Sequence, residues 1–415
     1  MPEKISISSL QKQIMTDHYL RALDAKSSGK LVVYVTAIFP VEIVRAFEPH
    51  IVAVYPENHA VNLIVNGLAE VFSEVAITRK SLDRLGCSYE LANTGYLLAK
   101  DFSAMKTDDI AALKSVPVLA RPDILLACNN QCDVVAEWFQ NLSRMYGDIP
   151  FKIINAGNRY DGIVNKERIE YVREQLLDVI NLLEKETQTK LDRDKLLDTA
   201  RKSAAAVKLW RQYLESGRNI PSPMTVFDGF YHMAPIVAER GRQTALDYYR
   251  QLTEKTKLKI DSSISAVQPE KHRILWDNLA TWFNFGELKK YLAQRGIAVV
   301  GSNYLDTWKR ELDTSSFDNL LTSMAEEYCA IYVTMTIGQR IESWKKMVRD
   351  YSAKGVLFHN NRSCHTFSRV QGQIAEALIQ EFGSDFKPIL FDGDMGLKER
   401  FQRHRFETAI ETFFD

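Results

Sequence analysis

The segment that most constrains this chain is ILLACNNQCDVVAEWF, residues 124–139. Four apolar residues, Ile124 to Ala127, read as a buried strand. An Asn-rich turn follows, and then a helix. Cys128 and Cys132 fall in and just past the turn. A strand that ends in a polar turn and restarts as a helix belongs to an open α/β sheet, where ligands bind beyond the carboxyl ends of the strands. A thiol at such an end can act as a ligand or a nucleophile. The same order recurs in GVLFHNNRSCHTFSRVQGQIAEAL, residues 355–378, with Cys364 in the equivalent place. A third cysteine, Cys87, lies in LGCSYELANTG. Two remote segments with one grammar predict a site shared by two similar lobes.

At 415 residues the chain is too long for one ordinary core, and two or three domains are expected. The alternation of strands and helices defines the lobes. KLVVYVTAIFP (30–40), IVAVYP (51–56), 124–127 and FKIIN (151–155) are continuous apolar runs suited to a parallel sheet covered on both faces. HRILWDN (272–278), IAVVGSNY (297–304), GVLFHNN (355–361) and KPILFDGD (387–394) form a second set. Between them, residues 163–256 hold apolar positions three and four apart amid dense charge, the mark of amphipathic helices. Asp192 starts one of these helices, and another covers 236–256. A further long helix is expected within 322–351, and a closing one ends the chain. The predicted architecture is α/β: two doubly wound parallel-sheet lobes with a helical insert between them. The expected divisions are an N-terminal helical segment at 1–29, a first lobe at 30–160, the insert at 161–268 and a second lobe at 269–415.

Composition narrows the function classes. Lysine plus arginine equal aspartate plus glutamate, 53 each, so no electrostatic case exists for nucleic acid or an anionic membrane. No apolar stretch approaches a membrane span, and the N-terminus has no apolar signal region. A cytoplasmic protein is expected. Five cysteines form no disulfide framework in such a chain. They leave three readings: buried thiols, a metal site, or a nucleophile. Cys87, Cys132 and Cys364 are the main candidates for an iron–sulfur or zinc site. Three thiolates would leave one coordination position open, as catalysis requires. Cys128, four residues before Cys132, can be a fourth ligand or a strand-end core thiol, the core being the better reading, and Cys329 reads as a buried thiol.

Other candidates carry alternatives. Glu57, in Glu57-Asn58-His59 at a strand end, can serve acid/base chemistry, or Asn58 can simply cap a helix. Thr36 ends the first strand and can donate to a ligand carbonyl, or be a buried hydroxyl. Trp276 and Trp282 can wall an acyl pocket or fill a core. Asp392 and Asp394, in FDGDMG, read as turn residues. The chain has no G-x-G-x-x-G after a strand, no G-x-x-x-x-G-K-[ST], no H-E-x-x-H and no G-x-S-x-G.

Taken in order, KLVVYVTAIFPVEIVRA, YPENHA, CSYELANTG, PDILLACNNQCDVVAEWF, the PSPM helix pair, RILWDNLATW and NNRSCHTFSRVQGQ with FDGDMG resemble the 2-hydroxyacyl-CoA dehydratase and benzoyl-CoA reductase family of iron–sulfur proteins. The resemblance spans nearly the whole chain. It implies a 4Fe–4S cluster held by Cys87, Cys132 and Cys364, with an open iron position facing an acyl-CoA thioester. Glu57 and Thr36 are then implied substrate contacts. It also implies a homologous second subunit and a separate ATP-dependent iron–sulfur activator. The chemistry implied is ketyl-radical elimination of water, since one electron added to the thioester expels the α-hydroxyl and acidifies the β-proton. The alternatives within the resemblance are a subunit of an ATP-dependent benzoyl-CoA-type ring reductase and a non-catalytic electron-relay subunit. A double-cubane cluster would need more matched cysteines than this chain has.

Overall fold

The computed structural model describes residues 6–99, 105–157, 161–309 and 312–414. It contains two four-stranded sheets, and every strand pair in them is parallel. The first comprises β1 (Leu31–Val35), β2 (Ile51–Val54), β3 (Ile124–Cys128) and β4 (Phe151–Ile154), in the order β2-β1-β3-β4. The second comprises β5 (His272–Asp277), β6 (Ile297–Ser302), β7 (Gly355–Asn361) and β8 (Lys387–Gly393), in the order β6-β5-β7-β8. The two orders are identical, so each sheet reverses direction between its first and third strands. Such a reversal opens a crevice at the carboxyl ends of the strands. The α/β architecture with two lobes is as the strand alternation predicts.

The strands form because their β-branched and aromatic residues can be buried on both faces. Val32, Val33, Tyr34 and Val35 of β1 and all five residues of β3 are buried. Helix Asp133–Met145, directly after Cys132, covers the first sheet with Val135, Trp138, Phe139 and Leu142 on its buried face.

Among its described residues the insert has helices and no strand. Helices Lys166–Thr187 and Arg193–Glu215 form its long pair, and Asp192 caps the second by accepting from the Lys195 N–H at 3.0 Å. The N-terminal helix, Ile7–Ser27, packs on the insert and on the first sheet.

Two expected helices are interrupted. The run at 322–351 is split into Phe317–Cys329 and Ile337–Asp350. Thr336 and Gln339 form a capping box that starts the second piece, and the Thr334 hydroxyl bonds the Cys329 and Ile331 carbonyls in between. The run at 236–256 is also split, into Ala234–Ala238 and Gln243–Asp261. Gly241 adopts φ +86° there, and Glu239 and Arg240 turn inward to buried ion pairs. The closing helix spans Arg403–Phe414.

Among the described residues, no helix is long and apolar enough to cross a membrane.

Candidate functional site

Each of the three main cysteines stands at the N-cap of a helix. Cys87 precedes Ser88–Leu98, Cys132 precedes Asp133–Met145, and Cys364 precedes the short turn His365–Ser368. A helix start presents backbone N–H groups that have no carbonyl partner. These groups reach the sulfurs: Val135 N–H donates to Cys132 Sγ at 3.4 Å. The Tyr89 and Glu90 amides act on Cys87, and the Thr366 and Phe367 amides on Cys364. Burial is nevertheless the larger influence on the Cys87 and Cys364 thiols. It holds Cys87 well above the usual thiol range and pushes Cys364 up to about 11.

The three segments converge on one cavity of about 490 Å³, lined by Cys87, Cys132 and Cys364 together with Glu57, Gln131, Tyr304 and Trp138. Its size suits a ligand site. Neighbours of the cysteines stitch the lobes together. The hydroxyls of Ser88 and Ser363, each beside a cysteine, share a hydrogen bond at 3.0 Å. Ser88 also donates to the buried carboxylate of Asp394, which further accepts from the Gly396 and Leu397 amides at 2.7 and 2.9 Å and from Arg400 at 2.8 Å. The asparagines of the two turns hold their own loops: Asn130 donates to the Tyr328 carbonyl, and Asn361 accepts from the Ser363 and Met395 amides.

Glu57 lies at the edge of this cavity, in the first turn of helix Pro56–Val65 after β2. One oxygen accepts from the Ala37 N–H at 2.5 Å and the other from the Gln131 amide at 2.8 Å. Burial raises its pKa above the ordinary carboxyl value, against the pull of these two donors. Tyr55, not Asn58, is the N-cap of that helix. A second cavity of about 720 Å³ adjoins the first. Ala37, Glu57, Tyr89, Tyr304 and Trp308 line both. Its outer wall carries Lys12, Leu20, Val65, Lys114 and Val118, all of them exposed.

The structure therefore brings Cys87, Cys132, Cys364 and Glu57 together. Thr36 is fully buried, lines neither cavity and lies near the Cys128 thiol. Cys128 and Cys329 are buried core thiols, and Trp276 is core while Trp282 lines the second cavity. Tyr89, Gln131 and Tyr304 were not picked out from the sequence. Gln131 had a readable signal, since it lies inside the CNNQC turn. Tyr304 sits two residues past β6, the same kind of position that Glu57 holds past β2.

Thiols are soft donors that select zinc or iron–sulfur clusters over hard cations. Among the described residues, no three His, Cys, Asp or Glu side chains gather around a point suited to a single ion. A cluster places its thiolates on separate irons, so three cysteines spread along one cavity fit it better than one ion.

Comparison with known proteins gives the context. The (R)-2-hydroxyisocaproyl-CoA dehydratase alpha subunit of Clostridioides difficile is 28% identical over 99% of this chain and 96% of its own length. The (R)-phenyllactyl-CoA dehydratase alpha subunit of Clostridium sporogenes is 27% identical over 96% of this chain and 95% of its own. A benzoyl-CoA reductase subunit of Thauera aromatica is 27% identical over the whole chain and 95% of its own length. The family model for the 2-hydroxyglutaryl-CoA dehydratase D-component matches residues 36–415, all three cysteine segments included, and the chain belongs to that family.

Proposed function

We propose that this chain is the 4Fe–4S subunit of an activator-dependent 2-hydroxyacyl-CoA dehydratase, working in the cytoplasm with a homologous second subunit. The observation that carries this reading is the convergence of three cysteines from remote segments on one cavity, with Glu57 at its edge. Cys87, Cys132 and Cys364 would hold the cluster. When bound, it would supply one-electron transfer at low potential and an open iron corner for a substrate oxygen. The amides at the three helix starts would then stabilise the thiolates, whose protons are lost on binding.

Glu57 would complete the proton balance. A carboxyl whose pKa is raised by burial can give its proton to the departing α-hydroxyl and, as a carboxylate, take the β-proton. The net reaction then releases water and returns Glu57 to its starting state. Its two donors, Ala37 N–H and the Gln131 amide, fix the orientation of the group through that exchange. The second cavity supports an elongated substrate such as a CoA thioester, because it continues past Glu57 to exposed lysines.

The test is iron and acid-labile sulfide content on anaerobically purified protein, followed by assay of 2-hydroxyacyl-CoA thioesters with an ATP-dependent activator. Roughly four irons per chain, lost together in Cys132→Ala, support the reading. Iron-free protein after full reconstitution overturns it.

A second reading, a benzoyl-CoA-type reductase subunit, draws support from the aromatic wall of Trp282, Phe285, Tyr304 and Phe230. Electron demand separates the two. Dehydration is redox-neutral and needs only a trace of reductant, whereas ring reduction consumes reductant in proportion to product. A purely electron-relaying subunit would bind no acyl-CoA.

A further inference from the structure

We propose that the Tyr304 hydroxyl donates the hydrogen bond to the carbonyl oxygen of the acyl thioester. The inference rests on the acyl-CoA reading above and adds a residue that the reading does not use. Tyr304 follows the second strand of the second sheet, as Glu57 follows the second strand of the first. The two residues therefore approach the crevice from opposite lobes, and both line both cavities.

The hydroxyl is free to act on a ligand. It makes no hydrogen bond among the described residues, and it is not among the buried oxygens sealed away from open space. Among the described residues that line both cavities, it is the tyrosine hydroxyl without a hydrogen bond; Tyr89 Oη accepts from the Trp282 indole at 2.5 Å, which ties that hydroxyl to the indole although it keeps its own proton. Its ring is held by three others: Trp308 at 5.8 Å, Phe367 at 6.2 Å and Phe230 at 6.2 Å between centroids. A donor fixed in this way needs no reorganisation during reaction. Burial, with Glu57 and Cys364 nearby, holds its pKa above the usual tyrosine value. It therefore stays protonated and keeps a proton to donate.

The chemistry calls for such a donor. When an external low-potential reductant gives one electron to the thioester, the negative charge gathers on the carbonyl oxygen. The Ala37 amide and the Gln131 side chain are already committed to Glu57. Tyr304, on the wall between the two cavities and without a partner among the described residues, is placed to meet that charge, and no proton need leave it.

The test uses the complex with its partner subunit, without reductant. Three thioesters lacking a 2-hydroxyl, each ¹³C-labelled at the carbonyl, serve as probes: butyryl-CoA, 4-methylpentanoyl-CoA and 3-phenylpropanoyl-CoA. Infrared difference spectra report the carbonyl stretch of the bound probe. The expected result is a stretch below that of the free thioester in the wild type, returned toward the free value in Tyr304→Phe and left in place in Tyr89→Phe. Iron content and melting temperature of Tyr304→Phe should match the wild type. Turnover of the 2-hydroxy substrate should fall about 10²- to 10³-fold, as for loss of one oxyanion donor. An identical stretch in wild type and Tyr304→Phe overturns the assignment while leaving the acyl-CoA reading intact. Failure of all three probes to bind removes the acyl-CoA reading, and this inference with it.

Discussion

Replacing Glu42 with leucine tests how the insert supports the site. Glu42 and Arg240 are buried, 3% and 7% exposed, and their Oε1 and Nε atoms lie 2.8 Å apart. Ser203 donates to the same carboxylate oxygen at 2.5 Å, and Arg240 also donates to the Phe39 carbonyl at 2.8 Å. Burial alone would raise the Glu42 pKa, but Arg240 and Ser203 bring it below the ordinary value. The pair therefore stabilises the fold above the unfolded-state pKa of glutamate, and this contribution is lost as the pH falls through the depressed folded value. Glu42→Leu leaves the Arg240 guanidinium buried without its counter-charge, which costs about 3–5 kcal/mol. The double variant Glu42→Leu/Arg240→Met removes both charges and leaves the Phe39 and Ile236 carbonyls short of a donor, a penalty of about 1–3 kcal/mol. It should therefore be more stable than the single variant. The assay is anaerobic urea denaturation followed by tryptophan fluorescence at neutral pH. The consequence should reach the site, because Phe39 lies in the loop whose Ala37 amide orients Glu57. A single variant within about 1 kcal/mol of wild type, or a double variant less stable than the single, would refute the argument.

Glu57→Gln should lower turnover about 10²- to 10⁴-fold and remove the limb of the pH–rate profile on which activity falls as the pH rises and Glu57 loses its proton, a fall that in the wild type lies above the ordinary glutamate range because the pKa is raised. The same variant should melt higher than wild type at pH 8. A raised folded pKa means that ionising this carboxyl opposes folding as pH rises, and the difference should vanish at acidic pH where both side chains are neutral. Cys128→Ala should keep full iron and sulfide, since that thiol is fully buried at the end of β3 and lines neither cavity. Gly95→Ala should destabilise the protein by about 1–3 kcal/mol and reduce iron retention on reconstitution. A Cβ there would sit 1.7 Å from the Phe72 carbonyl oxygen, forcing apart helix Ala69–Lys80 and the helix that Cys87 caps.

Where the site lies was legible because it is built from strand ends. An apolar run that stops in asparagines and a cysteine must leave the sheet at its carboxyl edge, and that edge is the same for every strand of a parallel sheet. Cys132 and Cys364 could thus be placed from local pattern alone, and Glu57 likewise. Thr36 obeyed the same rule and still missed the cavity. The rule gives the edge of the sheet but not which side chain faces the opening, and at Thr36 the opening is lined by the next residue, Ala37. Asp394 looked like a turn residue and is one, yet its carboxylate also holds Ser88, 306 positions away in sequence. No local window contains both partners. The helix breaks at Glu239–Arg242 and Ala330–Thr336 were hidden for a related reason: buried ion pairs and side-chain caps, not apolar periodicity, decide them. Tyr304 shows where the limit falls. An aromatic residue after a strand is most simply read as core, and only its unpaired hydroxyl distinguishes it. The identical strand orders of the two sheets supply the missing argument. If the lobes are equivalent, a functional group after β2 asks what stands after β6, and Tyr304 answers from the corresponding strand end.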